Sequence, residues 1–201
     1  MKTRHKIFLI LVATLMCSSC ATYSYRLIED LSQPFELEGF SIKPPQDFRW
    51  TIGKQNNQEV IFYRDHEKED KDHTIMASAQ TDLFDLETLD RLEAFVRLYP
   101  TGRGRRVKPL EVNVERIRFS EQDAVVCKYR ANDYEVPGRE GEAFLMASET
   151  VYLIHPYSSG NKIIVLHASQ RLPEGERFLN LENEVRPFFE SLEFKRFLDE
   201  G

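Results

Sequence analysis

Alternating apolar and polar residues recur along most of the chain, and this two-residue period is typical of β-strands with one buried face. Two pairs of such runs surround short polar turns and predict β-hairpins. The first hairpin covers residues 48–64. In the second, the runs 144–154 and 162–169 flank a segment that contains Pro, Ser, Gly and Asn, so we expect these two strands to pair antiparallel.

Four further runs predict strands at 39–43, 74–80, 110–119 and 124–130. In the last of them, Val125, Cys127 and Tyr129 share one face. The polar residues 121–123 predict the turn that leads into this strand.

Two segments have the 3.6-residue period of amphipathic helices. The first runs from Leu86 to Tyr99, with Asp85 as its expected N-cap and a proline directly after it. The second covers residues 176–197 and contains Pro187, for which we expect a break near residue 186 and a last helix that starts at the proline. Strands in long runs with few helices predict an α+β fold, an antiparallel β-sheet flanked by helices.

The N-terminal residues have the pattern of an export signal. Three basic residues within the first six precede an apolar block over 7–16, which is too short for a membrane-spanning helix of roughly 20 residues. Small residues and a cysteine follow, Ser18, Ser19 and Cys20, and this segment resembles the lipobox of bacterial lipoproteins. The resemblance implies cleavage before Cys20, acylation of its thiol, and a lipid anchor in the cell envelope.

The lipobox resemblance has one departure, because Cys17 stands where that family prefers an aliphatic residue. Ordinary signal cleavage nearby, with Cys20 left as a free thiol, is the alternative. Ala21 rather than Asp after the cysteine favours the outer membrane, facing the periplasm. We therefore expect a signal peptide over 1–19, a lipidated tether over 20–34 and a single α+β domain over 35–197.

Two short segments resemble the PsbP-like family of α/β/α sandwich domains. One is the opening Gly39-Phe40-Ser41-Ile42-Lys43-Pro44-Pro45, and the other is the ending Pro187-Phe188-Phe189-Glu190-Ser191-Leu192-Glu193-Phe194, which matches that family's closing helix and final short strand. The resemblance implies a fold and no particular site. Members of the family serve mostly as assembly, chaperone-like or binding proteins, so a non-enzymatic role is what the resemblance implies here.

Charge narrows the choice of partner. The full chain has a net charge of −6, and loss of the three basic leader residues leaves 24 basic against 33 acidic residues, a net charge of −9. Such an acidic chain is a poor match for a phosphate backbone, so nucleic-acid binding is excluded. With the leader removed and Cys20 acylated, Cys127 is the one remaining thiol, and no internal disulfide can form.

Two polar loops contain residues that could form a site. The loop 64–73 contains His66, His73 and five acidic residues, but its lysines repel a cation and its spacing matches no metal-ligand pattern, so we expect a solvated loop and no metal. Arg103, Arg105 and Arg106 lie between glycines and could contact an anion or a lipid headgroup. A flexible basic loop is the simpler interpretation of the arginines.

Cys127 with His155 or His167 is the one candidate nucleophile pair. Because Cys127 lies on an apolar strand and no third orienting group is evident, we expect it to be buried and unreactive, and we expect no catalytic residues and no cofactor. Two functions remain open: a non-enzymatic envelope lipoprotein that binds a protein, glycan or small molecule, and a periplasmic hydrolase with dispersed active-site residues.

Overall fold

The computed structural model describes residues 26–46, 50–64, 74–83, 86, 88–98, 107–134, 142–157, 162–175 and 181–195, although for 181–184 only the backbone is described. The strands are β1 Arg26–Leu27, β2 Phe35–Leu37, β3 Phe40–Ile42, β4 Trp50–Gln55, β5 Glu59–Arg64, β6 Thr74–Leu83, β7 Val107–Phe119, β8 Gln122–Asp133, β9 Phe144–Ile154, β10 Lys162–Pro173 and β11 Glu193–Phe194. The helices are α1 Leu89–Leu98 and α2 Leu181–Glu190. None of the described helices is long and apolar enough to cross a bilayer.

The large sheet has eight antiparallel strands in the order β1-β4-β5-β6-β10-β9-β8-β7. The hairpin expected from residues 144–169 is confirmed, since β9 and β10 pair antiparallel from Ile163 with Ile154 to Pro173 with Phe144. The hairpin expected over residues 48–64 is also confirmed by the pairing of β4 with β5. In sequence β10 follows β9, yet it also pairs with β6, which places the two predicted hairpins in one continuous sheet.

A smaller sheet, in the order β11-β3-β2, lies with helix α2 against one face of the large sheet. Their apolar side chains meet in the main core, where Phe62 of β5 makes edge contacts with Phe35 and Phe188 at ring distances of 5.0 and 5.8 Å. Trp50 is 1% exposed in the same cluster. The final short strand implied by the PsbP-like resemblance is present as β11.

Helix α1 packs on the opposite face, over β7 and β8. Leu92 and Val96 are its buried residues, and Arg116 of β7 donates hydrogen bonds to Asp90 and Glu93 on the exposed side of the helix, each at 2.6 Å. The expected fold is therefore confirmed in part. One described helix flanks each face of an antiparallel sheet, but strands make up most of the fold.

The break expected near residue 186 is wrong, because α2 continues through Pro187. A proline removes one backbone donor within a helix, which costs a hydrogen bond to the carbonyl four residues earlier. Here Val185, Phe188 and Phe189 are all buried in the main core on both sides of the proline, and the Ser191 N–H bonds to the Pro187 carbonyl at 3.1 Å. Packing of this face outweighs the lost bond.

Three element ends differ from the expectations. Thr88 caps α1, with its hydroxyl accepting the Arg91 N–H at 3.3 Å, while Asp85 lies outside the described residues. The turn between β7 and β8 is formed by Ser120 and Glu121, both with positive φ, one residue earlier than expected. Residues 26–34, assigned to the tether, contribute β1, and the Ile28 N–H bonds to the Trp50 carbonyl at 3.0 Å, so packed chain extends before Phe35.

Candidate functional site

The face of the large sheet that carries α1 is only half covered in the described structure. Side chains alternate along each strand, so every second residue of β5, β6, β10 and β9 points away from the main core. Helix α1 covers this face over β7 and β8. On the uncovered part lies a groove of about 410 Å³, which we call the sheet groove. It is lined by Glu59, Ile61, Met76, Ser78, Gln80, Met146, Ser148, Thr150, Val165, His167 and Ser169.

Strand register explains why the polar lining residues meet at the floor of the sheet groove. His167 of β10 lies directly opposite Ser78 of β6 on one side and Thr150 of β9 on the other. In the next row along the strands, Ser169 lies between Met76 and Ser148. Residues two apart on one strand face the same side, so the two rows form one hydroxyl-rich floor.

His167 is the titratable group at the centre of this floor. Its Nδ1 lies 2.8 Å from the Thr150 Oγ1. Burial lowers the pKa of His167 to about 4, because a desolvated imidazole disfavours its charged form. The ring is therefore neutral at pH 7. Burial also raises the pKa of Tyr152 well above its usual range.

Ser148 has a buried hydroxyl without a protein partner. The residue is 6% exposed, and its Oγ makes no hydrogen bond within the described structure. A buried polar group of this kind carries a desolvation penalty of about 1–3 kcal/mol. Gln170 Oε1 and Arg171 Nε are the other two such atoms among the described residues, and Arg171 lies two residues beyond Ser169 on the groove side of β10.

Charged side chains stand at the ends of the sheet groove and are paired there. Glu59 forms an ion pair with Lys54 at one end. At the other end, Arg171 lies 3.5 Å from the carboxylate of Asp133, which is almost completely buried, and 3.4 Å from the Thr74 hydroxyl. The middle of the groove consequently has a neutral lining.

The neutral lining distinguishes the sheet groove from two other hollows among the described residues. One, of about 380 Å³, lies beside α2 and is lined by charges of both signs, including Arg118 and Glu190. The other, of about 520 Å³, lies beside β1, where Arg26 and Asp30 contribute to its wall. Neither contains a buried polar side-chain atom that lacks a partner.

Cys127 is buried and remote from an activating base, as expected. It is fully buried under α1 with Leu92 and Val96, and burial raises the pKa of its thiol. A protonated thiol is a weak nucleophile. Thr150 lies directly opposite Cys127 and separates it from His167, which is two strands away.

His155, the other candidate base, is a structural residue. It is 2% exposed, its Nε2 donates to the Gly39 carbonyl at 2.7 Å, and its Nδ1 accepts the Tyr157 N–H at 3.1 Å. A carbonyl can only accept, so the proton must reside on Nε2. Burial lowers the pKa of this histidine. Both ring nitrogens are used to hold the β2–β3 turn against β9, which leaves no nitrogen for catalysis.

The remaining candidates lie outside the described residues. These are the lipidation site Cys20, the basic cluster Arg103, Arg105 and Arg106, and the loop histidines His66 and His73. Within the described part of the chain, no group of three His, Cys, Asp or Glu residues could hold a metal ion. The sheet groove was missed at the level of sequence, because its lining comes from four strands. Its one local signal is the alternation of Ser148, Thr150 and Tyr152.

Comparison with known proteins identifies no family for this chain. No family model and no curated protein matches it. Among solved structures, the chain is similar to LpqN, a protein involved in cell envelope biogenesis of Mycobacterium tuberculosis, with 14% identity, a TM-score of 0.46, and coverage of 84% of this chain and 89% of LpqN. It is also similar to the cyanobacterial PsbP (CyanoP) of Synechocystis, with 14% identity, a TM-score of 0.35, and coverage of 89% and 97%. Likeness at this level concerns the fold alone.

Proposed function

We propose that this chain is a lipid-anchored protein of the bacterial envelope that works by binding a ligand in the sheet groove. The anchor is Cys20, and the outer membrane, facing the periplasm, is the location that Ala21 favours. The observation that carries the binding role is the sheet groove itself, an open neutral surface with a buried polar atom that has no protein partner.

The position of β1 supports attachment close to the membrane. Five residues separate Cys20 from Arg26, where β1 joins the edge of the large sheet. A fully extended chain rises at most about 3.5 Å per residue, so this tether spans roughly 20 Å. The β1–β4 edge of the sheet is then held near the lipid surface. The sheet groove lies beyond this edge, on strands β5, β6, β10 and β9.

The electrostatics of the groove favour binding over catalysis. General-base catalysis needs a base that is oriented by a third group and tuned near the working pH. The pKa of His167 is about 4, and its Nδ1 partner is the neutral hydroxyl of Thr150. A histidine in that setting is a weak base at pH 7.

A hydrolase remains the second candidate, because the structure brings a histidine and several hydroxyls into one groove. Ser78 lies directly opposite His167, and the Thr150 hydroxyl is within hydrogen-bond distance of its ring. An active serine would react with a fluorophosphonate probe, and replacement of His167 by Gln would abolish the labelling. We expect no labelling of the wild-type protein. Labelling that depends on His167 would contradict the binding role and support a hydrolase.

Fatty-acid labelling and membrane fractionation test the anchor. We expect Cys20→Ala to lose the label and leave the membrane fraction, while the protein stays folded because Cys20 precedes β1, the first strand that pairs with the large sheet. Cys17→Ala is the matched control and keeps the label, since Cys17 precedes the cleavage point. Label retained in the Cys20 variant, or lost in the Cys17 variant, would show that a different residue is acylated.

A further inference from the structure

The geometry of the sheet groove points to its ligand class: an uncharged amphiphile with an apolar body and one hydroxyl, amide or ester group that seats against Ser148. This inference rests on the proposed binding role and names the chemistry that the same groove selects. It does not depend on the lipid anchor.

The apolar body follows from the groove walls. Ile61 and Met76 stand on the β5–β6 side, Met146 stands on β9, and Val165 lies between them on β10. Methionine side chains are flexible and adapt to ligands of irregular shape. A volume of about 410 Å³ lies within the range of small-molecule sites, which are mostly apolar with a few placed polar groups.

The single polar group follows from Ser148. Its buried Oγ has no protein partner, and it lies directly opposite Ser169 on the neighbouring strand. A serine hydroxyl can both donate and accept, so it pairs with a hydroxyl, an amide or an ester oxygen. A wholly apolar ligand would leave this atom buried without a partner, and a ligand with one such group would satisfy it.

The absence of net charge on the ligand follows from the pairing of the charged groups around the groove. Glu59 is paired with Lys54, and Arg171 with Asp133. Gln80 donates to Asp82 at 2.6 Å. An ionised ligand would be desolvated here without a counter-charge, which is costly.

Methionine methyl NMR reads this groove directly. The chain has four methionines, of which Met1 and Met16 lie in the leader and Met76 and Met146 line the groove. The protein, expressed from the full chain and purified from the fraction that holds it, is labelled at the methionine methyl groups. The probes are N-phenyl-1-naphthylamine, which is neutral with one N–H, and its sulfonated analogue 1-anilinonaphthalene-8-sulfonate.

We expect the neutral probe to shift the Met76 and Met146 signals in a saturable way. The affinity of the sulfonate should be lower by a factor on the order of ten or more. Equal binding of both probes, or tighter binding of the sulfonate, overturns the assignment of a neutral ligand. Saturable binding that leaves both methyl signals unmoved overturns the assignment of the groove.

Three variants separate the groove from the rest of the surface. Ser169→Phe fills the groove on a strand that tolerates aromatic residues, and we expect it to abolish the shifts. Asn113→Phe introduces the same ring on exposed β7 and should leave binding unchanged. Ser148→Ala removes no protein hydrogen bond and should weaken the neutral probe about tenfold without unfolding the protein. Unchanged binding in Ser169→Phe or Ser148→Ala refutes the inference.

Competition distinguishes the source of such a ligand. Displacement of the neutral probe by 1-monoolein and not by 1-decanol identifies a membrane lipid, and the reverse identifies a free small molecule. Displacement by neither would contradict the inference. These measurements are independent of Cys20, so loss of acylation and loss of groove binding are separate results.

Discussion

Protonation of His167 should destabilise the protein as the pH falls. The folded-state pKa is about 4, against about 6.5 in an unfolded chain, so the unfolded state binds the proton first. The contribution of neutral His167 to the free energy of unfolding is then present above about pH 6.5 and is lost as the pH falls towards 4. From these two pKa values, the loss attributable to His167 is about 2 kcal/mol at pH 5. Because the ring is partly exposed to the sheet groove, this figure is an upper limit.

Urea unfolding followed by the fluorescence of Trp50 measures this effect, since Trp50 is the one tryptophan and is buried in the core. The comparison variant is His167→Gln, whose amide can bond Thr150 but does not titrate. The carboxylates and His155 contribute equally to the pH dependence of unfolding in both proteins. Their contributions therefore cancel when the free energies of unfolding of the two proteins are subtracted. We expect wild type to lose up to about 2 kcal/mol more than His167→Gln between pH 7.5 and pH 5. Equal losses in the two proteins would refute the assignment of a neutral, desolvated His167.

Three further results are expected from the same fold. Ser148→Ala should raise the free energy of unfolding by about 1 kcal/mol in urea titrations, because it removes a buried hydroxyl without a partner, and a decrease would contradict this. Glu121→Gly should stabilise by about 1 kcal/mol, because its φ of 64° suits glycine; Glu115→Gly, in exposed β7, is the control and should destabilise. Thiol labelling of Cys127 in the Cys20-acylated protein should be slow until denaturant is added, and fast labelling of the folded protein would restore the nucleophile hypothesis.

The sequence predicted the long strands well because their signal is local. The β-rich runs 144–154 and 162–169 flank a short segment of turn residues, which predicts their antiparallel pairing, and the structure has that pairing. The Ser120–Glu121 turn was misplaced because neither residue has the usual signal of a left-handed turn. Pro187 predicts a helix break by local propensity alone, because propensity contains no information on the packing of Val185, Phe188 and Phe189.

The candidate site was less accessible to sequence reasoning. The burial of Cys127 could be predicted from its apolar neighbours on one strand. The sheet groove could not, because it depends on β10 pairing with both β6 and β9, which brings Ser78 and Thr150 to either side of His167. The groove is open because α1 packs over β7 and β8 and not over the neighbouring strands. The position of a helix on a sheet is set by tertiary packing, which the local sequence does not show.

The most direct test of ligand binding in the sheet groove is the transfer of nuclear Overhauser effects from bound N-phenyl-1-naphthylamine to the methyl groups of the protein. We expect transfer to the methyl groups of both Met76 and Met146, which stand on opposite sides of the groove. We also expect it to disappear in Ser169→Phe and to persist in Asn113→Phe. Transfer confined to methyl groups elsewhere, such as those of the exposed Leu110 and Val112 on β7, would contradict the assignment of the groove as the binding site.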